Sequence, residues 1–190
     1  MPNQQQFSNV SKNYLSCFYE ILDEMILNMM EAELTDSISH NFIVQMIPHH
    51  RAAIGMSRNI LQYTTDVPLQ AIASNIITEQ TKSIANMQRI LDQCSTLKND
   101  QQDLRLYQRR TDLIMQAMFS EMEQAASTNN INADFIREMI PHHRGAVRMS
   151  QHALHFPVCP ELVPILQAII VSQLEGIREM ELLLRQMGNT

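Results

Sequence analysis

The feature that most constrains this chain is an internal repeat, because a duplicated unit determines the architecture of everything around it. Two sixteen-residue segments, 42–57 and 135–150, are identical at eleven positions and lie at a constant offset of 93. The identical positions include the run Met-Ile-Pro-His-His-Arg, and matching apolar residues continue at the same offset on both sides. The sequence therefore predicts two copies of one unit, about 1–97 and 98–190, joined with almost no linker.

Each unit is predicted to contain three helices. Apolar residues recur at spacings of three, four and seven, which is the helical period, and neither a two-residue alternation nor a hairpin turn indicates a strand. The predicted helices cover 10–32, 38–63 and a segment opened by Asp66-Val67-Pro68, then 101–126, 131–155 and a segment opened by Cys159-Pro160. Because one unit presents more apolar surface than it can bury alone, the two units should pack face to face about a pseudo-two-fold axis. The predicted fold is all-α, in a single domain over 1–190.

The composition limits the classes of partner. A net charge of -6 leaves no basic surface for nucleic acid or anionic lipid. The most apolar run, 165–171, is too short to cross a bilayer, so no membrane partner is expected. The first residues contain no basic segment followed by an apolar run, which predicts no signal peptide and a cytoplasmic location. A homo-oligomer is compatible with the sequence.

The cysteines give no sign of a shared role. Cys17, Cys94 and Cys159 are far apart in the sequence and form no Cys-x-x-Cys pair. An odd, dispersed set of this kind is atypical of a disulfide framework and of a zinc–thiolate site. The sequence therefore predicts neither.

The histidine pairs of the motif lie on the apolar side of their helix. Neighbouring residues of an α-helix diverge by about 100°, so the two imidazoles of a pair should point to different places. One is expected to face the bundle axis and the other the third helix of its unit. Pro48 and Pro141 directly precede the pairs and remove a backbone donor, which favours a local bend that re-aims the side chains.

These residue types indicate a metal site, since imidazole and thioether groups bind copper, and thioethers favour Cu(I). We predict ligands among the four motif histidines, His49, His50, His142 and His143. Methionines on the same face are further candidate ligands: Met46, Met56, Met139 and Met149. Around the site, the amides of Gln80 and Gln173 are predicted to accept an imidazole N–H, with Met87 and Met180 packing beside them. Because protons compete for imidazole with an ordinary pKa of about 6.5, metal binding should weaken as the pH falls through roughly 6 to 5.

The main alternative is a structural or protein-interaction module whose paired histidines form a buried hydrogen-bond network. No catalytic activity is assigned, because the chain lacks a phosphate-binding loop, a nucleophile elbow and a His-Glu-x-x-His motif. A di-iron carboxylate enzyme would need Glu three residues before His, where this chain has Met46 and Met139. A redox enzyme is therefore the weaker alternative.

The motif resembles one bacterial family. The pattern Phe-x-x-x-Met-Ile-x-His-His, followed about twenty residues later by Gln-x-x-x-Ile-x-x-Met, begins at Phe42 and at Phe135. It is similar to the "domain of unknown function 305" family. The resemblance implies a ferritin-like four-helix bundle built from two helix pairs, with the first helix of each unit added outside it. It also implies an association with copper, which some members have.

The chain departs from the family pattern at two matched positions. Members typically carry Glu before the Ile of the second motif, where this chain has Ser83 and Gly176. Without those carboxylates, iron or manganese is a poorer candidate, and a His/Met site for copper is favoured.

Overall fold

A computed structural model describes residues 6–188, and within that range the regular structure is entirely helical. Residues 1–5 and 189–190, which include the start on which the absence of a signal peptide was argued, lie outside the described residues. The six helices are α1 (Asn9–Met30), α2 (Ile38–Leu61), α3 (Val67–Cys94), α4 (Gln101–Glu123), α5 (Ile131–Ala153) and α6 (Val163–Gly188). The all-α prediction is confirmed. None of the described helices is long and apolar enough to cross a membrane.

The helix starts follow from capping chemistry. Ser37 and Asp66 accept hydrogen bonds from backbone N–H groups of the first turns of α2 and α3, as N-cap residues do. The start of the last helix was predicted too early, because α6 begins at Val163 rather than at Pro160. Pro164 occupies its first turn, where a missing N–H costs nothing.

Helix packing separates four central helices from two outer ones. The helices α2 and α3 pack together, as do α5 and α6, and the two pairs meet through α2 against α5 and α3 against α6. The outer helices α1 and α4 lie on α2 and α5, respectively. The first helix of each unit was expected in such an outer position. The contacts of one repeat thus match those of the other, while the pseudo-two-fold axis and the ferritin-like arrangement stay predictions.

The core is rich in methionine. Six methionines outside the set of candidate ligands are buried: Met25, Met29, Met87, Met118, Met122 and Met180. At Gly145 the approach of α4 to α5 is so close that a Cβ would overlap the sulfur of Met118. The helices α2 and α5 also run through Pro48 and Pro141 without ending.

The cysteine prediction was wrong. Cys94, the last residue of α3, forms a disulfide with Cys159 in the α5–α6 connection, across 65 residues of sequence. The two segments meet against the start of α2, a contact that sequence spacing does not reveal. Cys17 on α1 remains a free thiol.

Candidate metal centre

His49 and His142 meet where α2 packs against α5. Their rings are stacked with centroids 3.6 Å apart and planes inclined by 27°. The Nε2 of His49 lies 3.2 Å from the backbone carbonyl of His142, and the Nε2 of His142 lies 3.0 Å from that of His49. The expectation that one imidazole of each pair faces the contact between the repeats is confirmed.

His50 and His143 point the other way, toward the third helix of each unit. The Nε2 of His50 is 3.1 Å from the hydroxyl of Ser83 on α3. His143 lies against Gly176 on α6, where a Cβ would stand 3.2 Å from its Nε2. The ring centroids of neighbours within each pair are 5.8 and 5.9 Å apart. The result is a row of four buried rings, called the imidazole row below, in the order His50, His49, His142 and His143.

Burial keeps the imidazole row uncharged. Loss of hydration lowers the pKa of His50 to about 3 and that of His142 to about 4. The pKa values of His49 and His143 are also well below the ordinary range, because burial disfavours the imidazolium and the neighbouring imidazoles add repulsion. All four rings are therefore neutral at pH 7, which is the metal-binding form. With these lowered pKa values, proton competition for a bound metal is expected below the window of pH 6 to 5 that an ordinary imidazole pKa predicts.

The hydrogen bonds also fix which nitrogen is free. A backbone carbonyl only accepts, so the Nε2 of His49 and the Nε2 of His142 carry the proton, and their Nδ1 atoms keep a lone pair. The Nδ1 atoms of all four imidazoles are buried and lack a hydrogen-bond partner among the described residues. Buried polar atoms normally find a partner, so four such atoms in one row call for an explanation.

Thioether sulfurs lie in the same core. The four candidate methionines of α2 and α5 are at most 1% exposed: Met46, Met56, Met139 and Met149. No three of the motif histidines bring nitrogens within 4.8 Å of one another, since the one group of three His, Cys or carboxylate ligands among residues 6–188 lies elsewhere. A site in the imidazole row therefore has at most two imidazoles in this structure, and its other ligands must be groups of another kind.

The predicted bond from an imidazole to Gln80 or Gln173 is not formed. The Nε2 of His50 instead forms a hydrogen bond with the hydroxyl of Ser83, which lies one turn further along α3. Both amide atoms of Gln80 and the Oε1 of Gln173 are buried without a partner among the described residues. These side chains line a cleft of about 640 Å³ between α3 and α6, which His50 and Ser83 also line. This α3–α6 cleft connects the end of the imidazole row with the surface.

Sequence reasoning missed a buried carboxyl group. Glu138 on α5 is 3% exposed and accepts a hydrogen bond from the hydroxyl of Tyr14 on α1. Burial raises its pKa to about 8, although the Tyr14 hydrogen bond opposes that shift. The matched residue in the first repeat is Gln45, so the carboxyl occurs once. A polar residue on the apolar face of the motif helix was the signal available in the sequence.

Comparison with known proteins places the chain in a family. The sequence profile of a domain of unknown function, DUF305, matches residues 24–184. The chain belongs to the DUF305 family. The match runs through α4 as well as the motif helices, and so covers more of the chain than the resemblance predicted. No match was found among curated proteins.

Solved structures, one of them of a DUF305 fragment, share the fold. A DUF305 fragment from Deinococcus radiodurans has a TM-score of 0.58 at 22% identity, covering 78% of this chain and 96% of that one. CopM in its Cu(I)-bound form has a TM-score of 0.57 at 28% identity, covering 82% and 99%. CopM in a silver-bound form gives 0.57 at 28% identity, covering 81% and 98%.

Proposed function

We propose that this chain is a copper-binding helical protein, with Cu(I) preferred, that binds or stores copper or contributes to copper tolerance; no catalytic activity is assigned to it. The observation that carries the proposal is the set of four buried Nδ1 atoms with no hydrogen-bond partner within residues 6–188. A bound ion would provide the partner that the Nδ1 lone pairs of His49 and His142 lack. The similarity to CopM, which has been solved with Cu(I), Cu(II) and Ag bound, supports the same class of ligand.

The donor set favours a soft ion. Neutral imidazole and thioether groups suit Cu(I), whereas iron and manganese sites are built largely from carboxylates. The Nδ1 atoms of His49 and His142 are the first candidates, because their Nε2 atoms are already used by backbone carbonyls. Met46, Met139 and the second methionine of each motif supply sulfur in the same core. The hydrogen bonds at Nε2 would hold each ring in the orientation and tautomer that binding requires.

The α3–α6 cleft is the proposed route for the ion. A member of the imidazole row, His50, contributes to the wall of this cleft. The amides of Gln80 and Gln173 lie along it with unused hydrogen-bonding capacity. These groups could replace part of the hydration shell as an ion moves inward.

The compartment predicted from the sequence, the cytoplasm, now has an argument against it. Disulfides persist in oxidising compartments and are rare in the reducing cytoplasm. The Cys94–Cys159 disulfide therefore supports an oxidising location for the oxidised chain. Thioether ligands retain a preference for Cu(I) there as well, because their softness does not depend on the compartment.

The decisive experiment is copper retention in a double variant. Wild type and His49→Ala/His142→Ala are loaded with Cu(I), passed over a desalting column and analysed for metal. The wild type should retain copper and the variant should lose most of it, while both keep the same helical circular dichroism. His155→Ala, which removes an exposed histidine outside the row, is the matched control. Equal retention in all three proteins would refute the assignment.

A structural role for the row is the second candidate, and the reciprocal bonds between His49 and His142 favour it. In that case the imidazoles join α2 to α5, and copper does not bind the folded chain more tightly than the unfolded chain. A ligand that binds only the folded state at a hundred times its Kd adds about 2.7 kcal/mol of stability. Thermal unfolding with and without Cu(I) separates the candidates, because only the metal site predicts a raised Tm.

A further inference from the structure

Two sulfurs and a carboxylate lie close together near the N-terminal end of α2. The ligand atoms of Cys94, Cys159 and Glu161 all lie within 4.8 Å of one another. The Sγ of Cys159 is 2.9 Å from the Oε2 of Glu161, and both cysteines are buried while the glutamate is exposed. This cluster stands against the first turn of α2, roughly 15 Å along that helix from His49 at 1.5 Å per residue. It is therefore separate from the imidazole row.

The cluster is held together by more than the disulfide. The hydroxyl of Ser37 donates to the carbonyl of Cys94 at 3.1 Å, and the hydroxyl of Ser39 accepts from the N–H of Cys159 at 2.8 Å. Both serines belong to the start of α2, so one rigid element positions both cysteines. The amide of Gln93 also donates to the Oε1 of Glu161 at 2.7 Å. None of these contacts requires the sulfur–sulfur bond.

We propose that reduction of the disulfide turns Cys94, Cys159 and Glu161 into a binding site for a thiophilic d10 ion, either Cu(I) or Zn(II). A dithiol reductant supplies two electrons and two protons, its own sulfurs become a disulfide, and two thiols form at residues 94 and 159. The ion then displaces both thiol protons to solvent and takes two thiolates. Because the backbone contacts persist, the two sulfurs stay close enough to share one ion.

The carboxylate decides between the two ions. Cu(I) is satisfied by two thiolates, whereas Zn(II) takes four ligands and gains a third from Glu161. The same pair would thus act as a redox-controlled site, closed as a disulfide and open to metal as a dithiol. This role is independent of copper binding by the imidazole row, which contains no cysteine.

The test compares oxidised and reduced forms of the full chain in a Cys17→Ser background, which removes the free thiol. The protein is reduced with an immobilised phosphine, freed of reductant without air, and titrated with Zn(II) or Cu(I) against a chromophoric chelator. The reduced form should bind one more equivalent than the oxidised form, with thiolate-to-metal absorption in the ultraviolet for Cu(I). Cys94→Ser/Cys159→Ser should show no such gain under either condition.

Glu161→Gln tests the carboxylate and completes the design. This variant should weaken Zn(II) binding at least tenfold, because the third ligand is lost, and should leave a Cu(I) bis-thiolate almost unchanged. Equal stoichiometry of the reduced and oxidised forms would overturn the proposal. So would loss of helical circular dichroism on reduction, because the contacts of Ser37 and Ser39 are inferred to hold the reduced site. Retained helicity in the Cys94→Ser/Cys159→Ser protein is the control for folding.

Discussion

Replacing Glu138 by Gln should change how stability depends on pH. The folded pKa of Glu138 is raised to about 8 from the ordinary value of 4.5. The folded chain therefore binds the proton more tightly than the unfolded chain, and the stability this provides is complete below pH 4.5. It is lost as the pH rises toward 8, since the unfolded chain then releases its proton first. At about 1.4 kcal/mol per pH unit, the loss between pH 5 and pH 7.5 is about 3 kcal/mol.

The imidazole row acts in the opposite direction. Its folded pKa values are lowered, so its contribution to stability is complete above pH 6.5 and is lost as the pH falls. Each ring with a folded pKa of 3 to 4 costs about 2 kcal/mol at pH 5. In wild type, Glu138 and the imidazoles therefore offset each other in acid. The difference between variant and wild type cancels the imidazole contribution and isolates the carboxyl.

The assay is urea unfolding of wild type and Glu138→Gln at pH 5, 6 and 7.5. Gln keeps the shape, can still accept from Tyr14 and does not titrate. The free energy of unfolding of the variant relative to wild type should rise by about 3 kcal/mol from pH 5 to 7.5. In Tyr14→Phe the loss of stability should continue to higher pH than in wild type, because the lost hydrogen bond had lowered the Glu138 pKa. A relative free energy that is flat with pH, or that falls, would refute the burial argument.

Three further outcomes follow from the described contacts. Copper affinity of the imidazole row, measured by chelator competition, should change less than about twofold between pH 7.5 and pH 5, because the buried rings stay neutral. A tenfold loss of affinity would show that the rings titrate normally. Gly145→Ala should lower the free energy of unfolding in urea by about 1–3 kcal/mol, since its Cβ would overlap Met118. Gly55→Ala, which meets only ordinary contacts, should raise it by up to about 1 kcal/mol, and the same sign in both would contradict this view of the packing. Gly176→Ala should displace the ring of His143 and weaken copper binding severalfold at unchanged helicity; unaltered affinity would exclude His143 as a ligand.

The helices and the directions of the histidines could be predicted from the sequence. Both depend on local periodicity and on the repeat, which brings equivalent helices together. His49 and His142 meet at the contact between repeats, and His50 faces α3, because neighbouring helical residues must diverge. The all-α class and the family followed from the same residues.

The features that were missed depend on segments distant in sequence. The Cys94–Cys159 disulfide forms because the end of α3 and the α5–α6 connection both contact the start of α2. Burial raises the pKa of Glu138 and brings it against Tyr14 of α1 from the other repeat, whose hydrogen bond opposes that rise. No spacing rule contains either contact. The partner of His50 is Ser83 and not Gln80, and these two residues lie only one helical turn apart on α3.

The covalent joining of the two repeats gives the imidazole row a direction. In a homodimer of single units, both ends of such a row would be identical, because every residue would face the copy of its own partner. Here His50 ends against the hydroxyl of Ser83, whereas His143 ends against the bare backbone of Gly176. An ion reaching one end therefore meets a different chemical environment from an ion at the other. Duplication within one chain has made a symmetric pattern of residues into an oriented one, with two chemically different ends.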